Sequence, residues 1–461
     1  MKRLFGTDGM RGEAGRFPLD AATMRVTGRS LARHLAEQKE GRAARIVIGR
    51  DTRESGPWLE QALIAGALDA GARVESAGVI TTPGVAFLTR QLPADAGVVI
   101  SASHNAYQDN GIKVFAPSGR KLDDATERRI EADINAAALA EQHAAPSSIT
   151  EGAIEEGADM GGAASLRSRY LDYLAEEVAG GLSLEGMSIV VDCANGAASE
   201  LAPALFERLG ARVTSINNQP DGRNINRDCG SLHIEGLREK VLAEHAKLGV
   251  AFDGDADRAL FVDARGAFVD GDATLWVMAG YMDARGELKD GEVVATVMSN
   301  IGLEIALRAK GLRLLRTDVG DKYVLEELLR RDLSLGGEQS GHLIFPARSL
   351  AGDGMITTLG LLRVMRETGA RLDELTAGFV RYPQVLVNVR VREKRPFKEV
   401  AQIAQAARET EALLGETGRL LLRYSGTEPL ARVMIEGERQ ETVERYANRL
   451  ASVIRETLGA A

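Results

Sequence analysis

Short runs of β-branched and other apolar residues recur along the chain, and each leads through a polar loop and a helical segment to a glycine and another strand. One such unit spans residues 46–74, a second spans 189–213, and a looser third spans 293–315. Strands that alternate with helices of this length predict largely parallel sheets with right-handed crossovers. The copies lie about 100 to 140 residues apart, far beyond solenoid periods, so they indicate three related α/β domains.

The pattern changes in two places, which predict domain boundaries. Residues 144–162 are rich in Ala, Gly, Pro, Ser and acidic residues without periodicity, as is typical of a surface linker. Residues 384–391 alternate like a half-buried strand, and amphipathic helices are predicted on both sides of 419–423. The prediction is α/β: three related mixed-sheet α/β domains and a smaller C-terminal α+β domain. Their predicted bounds are 1–150, 151–257, 258–369 and 370–461.

Composition limits the class of protein. A chain of 461 residues is too long for one core, and 44% apolar residues suffice for several. Neither a signal peptide nor a run of about 18 apolar residues is visible, which predicts a cytoplasmic protein. Cys193 and Cys229 are predicted to be free thiols. A net charge of -9 gives no general attraction to nucleic acid or anionic lipid, so an anionic ligand needs a local cluster of donors.

Two predicted strands end in segments that can carry chemistry. The apolar run 96–100 precedes Ser103, which places this hydroxyl where open α/β sheets bind ligands. The run 248–252 opens into an acidic loop that offers three carboxylates to a hard cation. These carboxylates belong to Asp253, Asp255 and Asp257. A serine that carries phosphate and a magnesium site that neutralises it would together form a phosphoryl-transfer centre.

Each of these motifs has an alternative. The acidic loop starts like an EF-hand, but its sixth position is Arg258 where Gly is needed and its twelfth is Ala264 where Glu is needed. A solvated acidic turn is the other alternative, although three like charges on a short loop repel one another unless a cation binds. Taken alone, Ser103 is also consistent with an ordinary capping serine at a strand-to-helix junction.

Four motifs in order give the chain a specific resemblance to the α-D-phosphohexomutase superfamily over essentially its whole length. They are TDGMRG at 7–12, SASHN at 101–105, DGDADR at 253–258 and RYSGTEP at 423–429. The resemblance implies a heart-shaped, four-domain architecture and a phosphoserine at Ser103. It also implies one Mg²⁺ per active site, bound by that phosphate and the three aspartates. Ala106 stands where the family usually has Pro, which predicts a slightly looser serine loop.

The resemblance also implies roles in proton transfer. Lys113 matches the family's acid/base residue, and Arg11 and His104 are supporting candidates. A lysine acts as a base only if its pKa is lowered, so simple neutralisation of phosphate is an equal alternative for Lys113.

Further residues are implied to bind substrate. Glu338 and Ser340 match residues that hold sugar hydroxyls, whereas His342 is predicted to be a satisfied structural histidine. Ser425, Gly426 and Thr427 provide two hydroxyls and a glycine between two arginines, Arg423 and Arg432. This set suits the binding of a phosphate that does not react, although a solvent-facing turn would look similar. The other predicted substrate-binding residues are Arg258, Gln339, Arg423, Ser425, Gly426, Thr427 and Arg432.

Three segments resemble the bacterial branch of the superfamily that acts on glucosamine phosphates; they are 317–324, 337–342 and 432–437. This implies interconversion of glucosamine 6-phosphate and glucosamine 1-phosphate for amino-sugar nucleotide and cell-wall synthesis. Glucosamine 1,6-bisphosphate, or a similar primer, would be the intermediate. Phosphoglucomutase or phosphomannomutase activity, a sugar phosphohydrolase and a Mg²⁺-dependent sensor are the alternatives. The expected partner is a small sugar phosphate, without nucleic acid or membrane, and a homodimer is compatible with the sequence.

Overall fold

The computed structural model describes residues 3–6, 8–39, 41–143, 162–425 and 428–460. Within these ranges the chain forms four successive sheets, three with helices in α/β arrangement and a last one of three strands. The predicted linker lies outside the described residues except for Gly162, and so do Gly426 and Thr427.

The first sheet has six strands and is mixed. Its strands are β1 (Phe5–Gly6), β2 (Gly9–Glu13), β3 (Arg45–Arg50), β4 (Arg73–Val79), β5 (Ala96–Ile100) and β6 (Asp109–Phe115). Its helices are α1 (Ala21–Glu37), α2 (Gly56–Asp69), α3 (Thr82–Gln91) and α4 (Asp124–His143). The order is β1-β2-β6-β5-β3-β4, in which β3 pairs in parallel with β4 and β5. Strand β6 follows β5 through a short connection and therefore runs antiparallel to it.

The second sheet has five strands in the order β11-β10-β9-β7-β8. Its strands are β7 (Ser188–Asp192), β8 (Arg212–Ile216), β9 (Leu248–Phe252), β10 (Ala259–Asp263) and β11 (Phe268–Val269). Its helices are α5 (Ala163–Asp172), α6 (Leu201–Arg208) and α7 (Glu235–Ala243). Strand β7 is parallel to both neighbours, whereas β10 returns antiparallel to β9 directly after the acidic loop.

The third sheet has four strands in the order β13-β12-β14-β15. Its strands are β12 (Glu292–Thr296), β13 (Arg313–Thr317), β14 (Gly336–Gly337) and β15 (Leu343–Ile344). Its helices are α8 (Gly271–Ala284), α9 (Ile301–Ala309), α10 (Asp321–Arg331), α11 (Gly354–Thr368) and the short α12 (Leu372–Leu375).

The fourth sheet is small and fully antiparallel, in the order β16-β18-β17. Its strands are β16 (Gln384–Arg390), β17 (Arg419–Tyr424) and β18 (Leu430–Glu436). Two helices, α13 (Ala401–Leu414) and α14 (Gln440–Leu458), contribute to its apolar core. This arrangement confirms the predicted C-terminal α+β unit.

The three predicted strand-helix-strand units are confirmed as β3-α2-β4, β7-α6-β8 and β12-α9-β13, and the strands of each unit pair in parallel. Each central helix ends before a glycine with positive φ: +79° at Gly71, +93° at Gly210 and +76° at Gly311. A left-handed residue lets the chain turn back to the sheet at the end of a helix, and glycine adopts it without steric cost. This explains why the same glycine recurs in each unit.

The apolar core joins the first three sheets and excludes the fourth sheet with its two helices. One cluster of buried residues includes Val47 of the first sheet, Val191 of the second and Val293 of the third. The fourth domain has its own cluster, which includes Val433 and Leu450. The first three domains therefore pack as one block, and the last domain adjoins that block.

Both cysteines, Cys193 and Cys229, are buried free thiols, as predicted. In the described part of the chain, no helix combines the length and apolarity needed to cross a membrane.

Candidate active site

Ser103 lies in the loop after β5 and faces the acidic loop after β9. It is 1% exposed and its φ is +53°, a left-handed conformation that is uncommon for serine. Its Oγ donates a hydrogen bond to Oδ2 of Asp253 at 2.5 Å and lies 3.3 Å from Nδ1 of His104. The carboxyl ends of strands from two different sheets thus bring the predicted phosphate carrier and the acidic loop together.

The three aspartates form one buried cluster. Each contributes a carboxylate oxygen within 4.8 Å of the others. Oδ1 of Asp255 and Oδ1 of Asp257 are buried without a hydrogen-bond partner among the described residues. Buried acceptors without donors are costly unless a cation binds them, and carboxylate oxygens are the ligands of hard divalent cations. Burial and the two neighbouring carboxylates also raise the pKa of Asp253 well above its usual range. The residues present therefore fit a metal ion.

The close approach of the two loops depends on Gly254. A Cβ at this position would lie 2.5 Å from the backbone oxygen of Ser103. Any larger residue would push the acidic loop away from the serine, which explains the glycine between the first two aspartates.

Lys113, on β6, is buried against the acidic cluster. Its Nζ donates to Oδ2 of Asp255 at 2.8 Å and to Oδ2 of Asp257 at 3.2 Å. Thr82 also donates to Asp255, at 2.5 Å. Burial opposes the charge on Lys113, but the two carboxylates raise its pKa above the ordinary range. A base requires the opposite shift; in this structure the lysine is the ion-pair partner of Asp255 and Asp257.

The supporting groups named from the sequence surround the same centre. Burial, together with Arg258 and Arg11, lowers the pKa of His104 to about 4. The backbone N–H of Arg258 donates to Oδ1 of Asp253 at 3.2 Å, and Arg11 forms an ion pair with Asp8 at 3.5 Å. The Nε atoms of both arginines are buried and have no hydrogen-bond partner in the described part of the chain. Such donors suit the oxygens of an anion.

The predicted sugar-binding loop connects β14 and β15. Oγ of Ser340 donates to Glu338 at 3.1 Å, and the backbone N–H of Gly320 donates to the same carboxylate at 3.2 Å. Gln339 faces the start of α8. Its backbone carbonyl accepts from the first residue of α8 at 3.0 Å, and its side-chain Nε2 is buried without a hydrogen-bond partner among the described residues. Glu338 and Ser340 thus form one polar pair, whereas Gln339 is engaged with the start of α8.

His342 lies between two carboxylates. Nδ1 is 3.6 Å from Asp257 and Nε2 is 3.8 Å from Asp321. Although burial disfavours its charge, these carboxylates raise its pKa to about 9. Nε2 has no hydrogen-bond partner within the described ranges, so the prediction of a satisfied structural histidine is wrong in that respect.

The sequence analysis did not identify a group of charged side chains that lies beside His342. Lys121 donates to Asp321 at 2.7 Å and to Asp8 at 3.4 Å, and thereby joins the first domain to the third. A cavity of about 440 Å³ includes Lys121, Asp321, His342 and Lys113 in its wall. Asp8 and Asp321 occur inside segments that carried the resemblance, so they could have been noticed. Lys121 has no motif of its own.

The distal arginines lie opposite each other on the fourth sheet. Arg423 on β17 is the cross-strand neighbour of Arg432 on β18, and both are half-buried. Like charges directly opposite destabilise a strand pair unless an anion compensates them. Burial and the charge of Arg432 lower the pKa of Arg423.

Ser425 lies beside these two arginines, and we call Arg423, Arg432 and Ser425 the distal cradle. Its Oγ is 3.4 Å from Nη2 of Arg432, and its carbonyl accepts from Nζ of Lys394 at 2.6 Å. No motif in the sequence pointed to Lys394, or to Asn388 on β16, which lies opposite Arg432. Gly426 and Thr427, predicted for the same cradle, fall in the undescribed gap.

The fourth domain meets the third through a buried asparagine. Oδ1 of Asn300 accepts from the backbone N–H of Tyr382 at 2.9 Å, and its Nδ2 donates to the carbonyl of Tyr382 at 3.0 Å. The same Nδ2 donates to Glu436 on β18 at 3.2 Å, and Arg419 binds that carboxylate at 2.7 Å. Polar contacts therefore form this joint, in contrast to the continuous apolar core of the first three domains.

Four family models match the chain in order. The models for alpha/beta/alpha domains I, II and III of phosphoglucomutase/phosphomannomutase match residues 2–141, 168–266 and 270–382. The model for the C-terminal domain matches 386–453. With most of its length matched, the chain belongs to the phosphoglucomutase/phosphomannomutase family. The predicted superfamily, its four-domain architecture and its class of enzyme, an isomerase of sugar phosphates, are confirmed.

Two full-length relatives show which members of this family the chain resembles. The chain is 50% identical over 461 residues to the phosphoglucosamine mutase of Solibacter usitatus (strain Ellin6076), with 99% of each chain covered. It is 46% identical over 458 residues to the phosphoglucosamine mutase of Syntrophotalea carbinolica (strain DSM 2380 / NBRC 103641 / GraBd1), with 99% of this chain and 98% of that protein covered. The resemblance to this bacterial branch therefore extends from end to end.

Solved structures show the same fold. A phosphoglucomutase/phosphomannomutase family protein from Burkholderia thailandensis superposes with a TM-score of 0.77 at 24% identity, with 98% of this chain and 97% of that chain covered. The Aspergillus fumigatus N-acetylphosphoglucosamine mutase, solved with GlcNAc-6P and magnesium, gives 0.66 at 18% identity, with 98% and 95% covered. At these identities the likeness concerns the fold alone.

Proposed function

We propose that this chain interconverts glucosamine 6-phosphate and glucosamine 1-phosphate through a phosphoserine at Ser103 and glucosamine 1,6-bisphosphate. The observation that carries the proposal is the hydrogen bond of 2.5 Å between Ser103 Oγ and Asp253, because it joins a nucleophile to a buried acidic cluster. The names of the full-length relatives support the amino sugar as substrate.

The acidic cluster is the proposed Mg²⁺ site. Asp253, Asp255 and Asp257 would hold the ion together with an oxygen of the phosphate on Ser103. Two buried carboxylate oxygens that have no hydrogen-bond partner among the described residues support this assignment. When bound, Mg²⁺ would neutralise charge on the transferring phosphoryl group.

The first transfer moves the phosphoryl group from Ser103 to the free hydroxyl of the sugar phosphate. The bond between phosphorus and Oγ breaks, a bond to the sugar oxygen forms, and the proton of the sugar hydroxyl ends on Oγ in place of the phosphoryl group. His104 lies 3.3 Å from Oγ and is placed to deliver that proton to it. Lys113 stays charged beside the carboxylates. Arg11 and Arg258 orient phosphoryl oxygens through Nε atoms that have no hydrogen-bond partner in the described part of the chain.

The second transfer requires the bisphosphate to turn end over end. Arg423, Arg432 and Ser425 hold the phosphate that is not reacting, and Gly426 and Thr427 are proposed to complete this cradle. One reactive serine serves both ends of the sugar, so the cradle must accept either phosphate. Arginine side chains and hydroxyls suit such a role because they bind phosphate oxygens from several directions.

Selection of the sugar is assigned to the loop between β14 and β15. Glu338 and Ser340 hold ring hydroxyls, and Gln339 with the backbone carbonyls of this loop provides acceptors for the amine at C2. A neutral acceptor binds the amine of glucosamine only somewhat better than the hydroxyl that glucose carries at C2, so its selectivity is modest. We therefore expect a preference of about tenfold to a hundredfold over glucose phosphate, which corresponds to about 1–3 kcal/mol.

The test compares kcat/KM for glucosamine, glucose and mannose phosphates, with a hexose 1,6-bisphosphate supplied as primer. We expect the highest value for glucosamine phosphate and no release of inorganic phosphate. Higher values for glucose or mannose phosphate would assign the chain to phosphoglucomutase or phosphomannomutase activity. Stoichiometric phosphate release would indicate a phosphohydrolase, and binding without turnover would indicate a sensor.

A further inference from the structure

The peptide unit of Ser103 is held on both sides by one buried ion pair. Its N–H donates to Oγ of Ser101 at 2.9 Å, and that hydroxyl donates to Asp51 at 2.7 Å. Its carbonyl accepts from Nη2 of Arg53 at 3.0 Å, and Nε of Arg53 binds the same Asp51 at 2.9 Å. Asp51 and Arg53 are completely buried, so the N–H and the carbonyl of Ser103 are both connected to one buried ion pair.

The same guanidinium supports the rest of the serine loop. Arg53 donates to the carbonyls of Asn105 at 2.8 Å and Asp109 at 3.0 Å, and it also contacts the carbonyl of Ala106. The loop has Ala106 where the family usually has Pro. These hydrogen bonds restrain the backbone that a proline ring would otherwise stiffen.

Asn226 of the second domain also holds the serine loop, and we call its contacts the clamp. Nδ2 of Asn226 donates to the carbonyl of Ser103 at 2.9 Å and to that of Asn105 at 3.0 Å. Asn226 has a φ of +56°, and its backbone N–H donates to Ala194 at 2.9 Å. A Cβ on Gly254 would lie 2.9 Å from Nδ2 of Asn226, so the amide is packed between the serine loop and the acidic loop.

We infer that Asn226 is a positioning residue for phosphoryl transfer, which it supports from the second domain by holding the carbonyl of Ser103. This inference rests on the proposed function. A serine at positive φ persists only where its surroundings over-determine the backbone. The amide of Asn226 supplies part of that restraint and aligns Oγ with Asp253. Because misplacement of a reacting group by about 1 Å can cost about 100-fold in rate, the clamp acts on kcat.

Asn226→Asp tests this role with little change of size. Aspartate tolerates the left-handed conformation, but its carboxylate cannot donate to the two carbonyls. We expect kcat to fall about 10-fold to 100-fold while KM for the sugar phosphate stays within about threefold. Asn224→Asp is the matched control, because it lies in the same loop and its Nδ2 donates to Gln219 instead. A parental kcat in Asn226→Asp would overturn the inference.

Hydrogen–deuterium exchange provides a second measurement that needs no substrate. Amides of residues 101–109 should exchange at least about tenfold faster in Asn226→Asp than in the parent or in Asn224→Asp, because loop opening loses a restraint. Unchanged exchange would overturn the inference even if the parent were inactive as a mutase. If Asn226→Asp folds poorly, Asn226→Ala removes the same donors without adding a charge and is judged by the same two measurements. If the parent were inactive as a mutase but the variant still exchanged faster, the proposed function would be refuted, whereas the role of Asn226 in holding the serine loop would stand.

Discussion

The proposed reactive centre and the proposed distal cradle are built by opposite designs. At the reactive centre, Lys113 and the aspartates are buried and paired, and they belong to two of the three domains that share one apolar core. At the cradle, Arg423 and Arg432 face each other half-buried on a domain with a separate core. A centre that transfers a phosphoryl group benefits from preorganised charges, whereas a cradle that must release and recapture a phosphate benefits from mobility.

The joint between these two regions is consistent with that division. Asn300 connects the third domain to Tyr382 and to Glu436 through hydrogen bonds. Hydrogen bonds can be exchanged during a rotation at lower cost than an apolar core can be opened. We therefore expect the cradle to move as a unit relative to the reactive centre.

The largest expected effect is that of Ser103→Ala. Removing the proposed phosphate carrier should lower mutase activity at least about 1,000-fold without changing the fold, because no other group takes over nucleophilic transfer. Intact mass and peptide mapping should show phosphate on Ser103 in the parent alone. Ser168→Ala, an exposed serine on α5, serves as control. Full activity in Ser103→Ala would refute the assignment.

Asp253→Asn should separate activity from stability at the reactive centre. Loss of a metal ligand should reduce activity at least about 100-fold. In the presence of a chelator, however, its Tm should equal or exceed that of the parent, since burial and two neighbouring carboxylates already disfavour the charge of Asp253. The rise in Tm that Mg²⁺ gives the parent should disappear in the variant. Activity that survives both the substitution and chelation would show that the acidic cluster is not a catalytic metal site.

Arg423→Ala and Arg432→Ala should affect binding more than turnover. Each removes a charged donor from the cradle, so KM for the sugar phosphate should rise about tenfold to a hundredfold. The Tm should stay constant or rise slightly, because each substitution relieves repulsion across the strand pair. Arg390→Ala on β16 is a control at an exposed position of the same sheet. Unchanged KM in both variants would place the distal phosphate elsewhere.

The smallest effect on activity is expected at the joint, from Asp272→Asn. Burial and the charge of Asp270 raise the pKa of Asp272 to about 7, and its carboxylate accepts from the backbone N–H of Asn300 at 2.8 Å. The folded state therefore binds a proton that the unfolded chain has released, and this contribution to stability decreases as the pH rises from about 4 to 7. Over this pH range the free energy of unfolding of the parent should fall by on the order of a few kcal/mol more than that of the variant.

Denaturant unfolding at several pH values measures this effect, with Asp283→Asn at an exposed position of α8 as control. Mutase activity at neutral pH should remain within about threefold of the parent, because Asp272 contacts no proposed reacting group. Equal pH dependence in parent and variant would show that Asp272 is charged in the folded protein throughout this range.

The local pattern alone determined much of the fold. Strand runs, helical periods and the glycines at 71, 210 and 311 predicted the three related units, because each unit is specified within about 30 residues. The order of four motifs indicated the superfamily and pointed to Ser103 and the acidic loop. Residues within a motif are adjacent in sequence, so their chemistry can be read before the fold is known.

Only the tertiary structure decided how these residues influence one another. The pKa of Lys113 depends on Asp255 and Asp257, which lie more than 140 residues away in sequence. Lys121, Asn226 and Arg53 carry no recognisable signal, because their roles arise from contacts between different loops or domains. The sequence specified which groups are available for phosphoryl transfer. Their charges and positions follow from burial and from packing between distant segments, which no local pattern encodes.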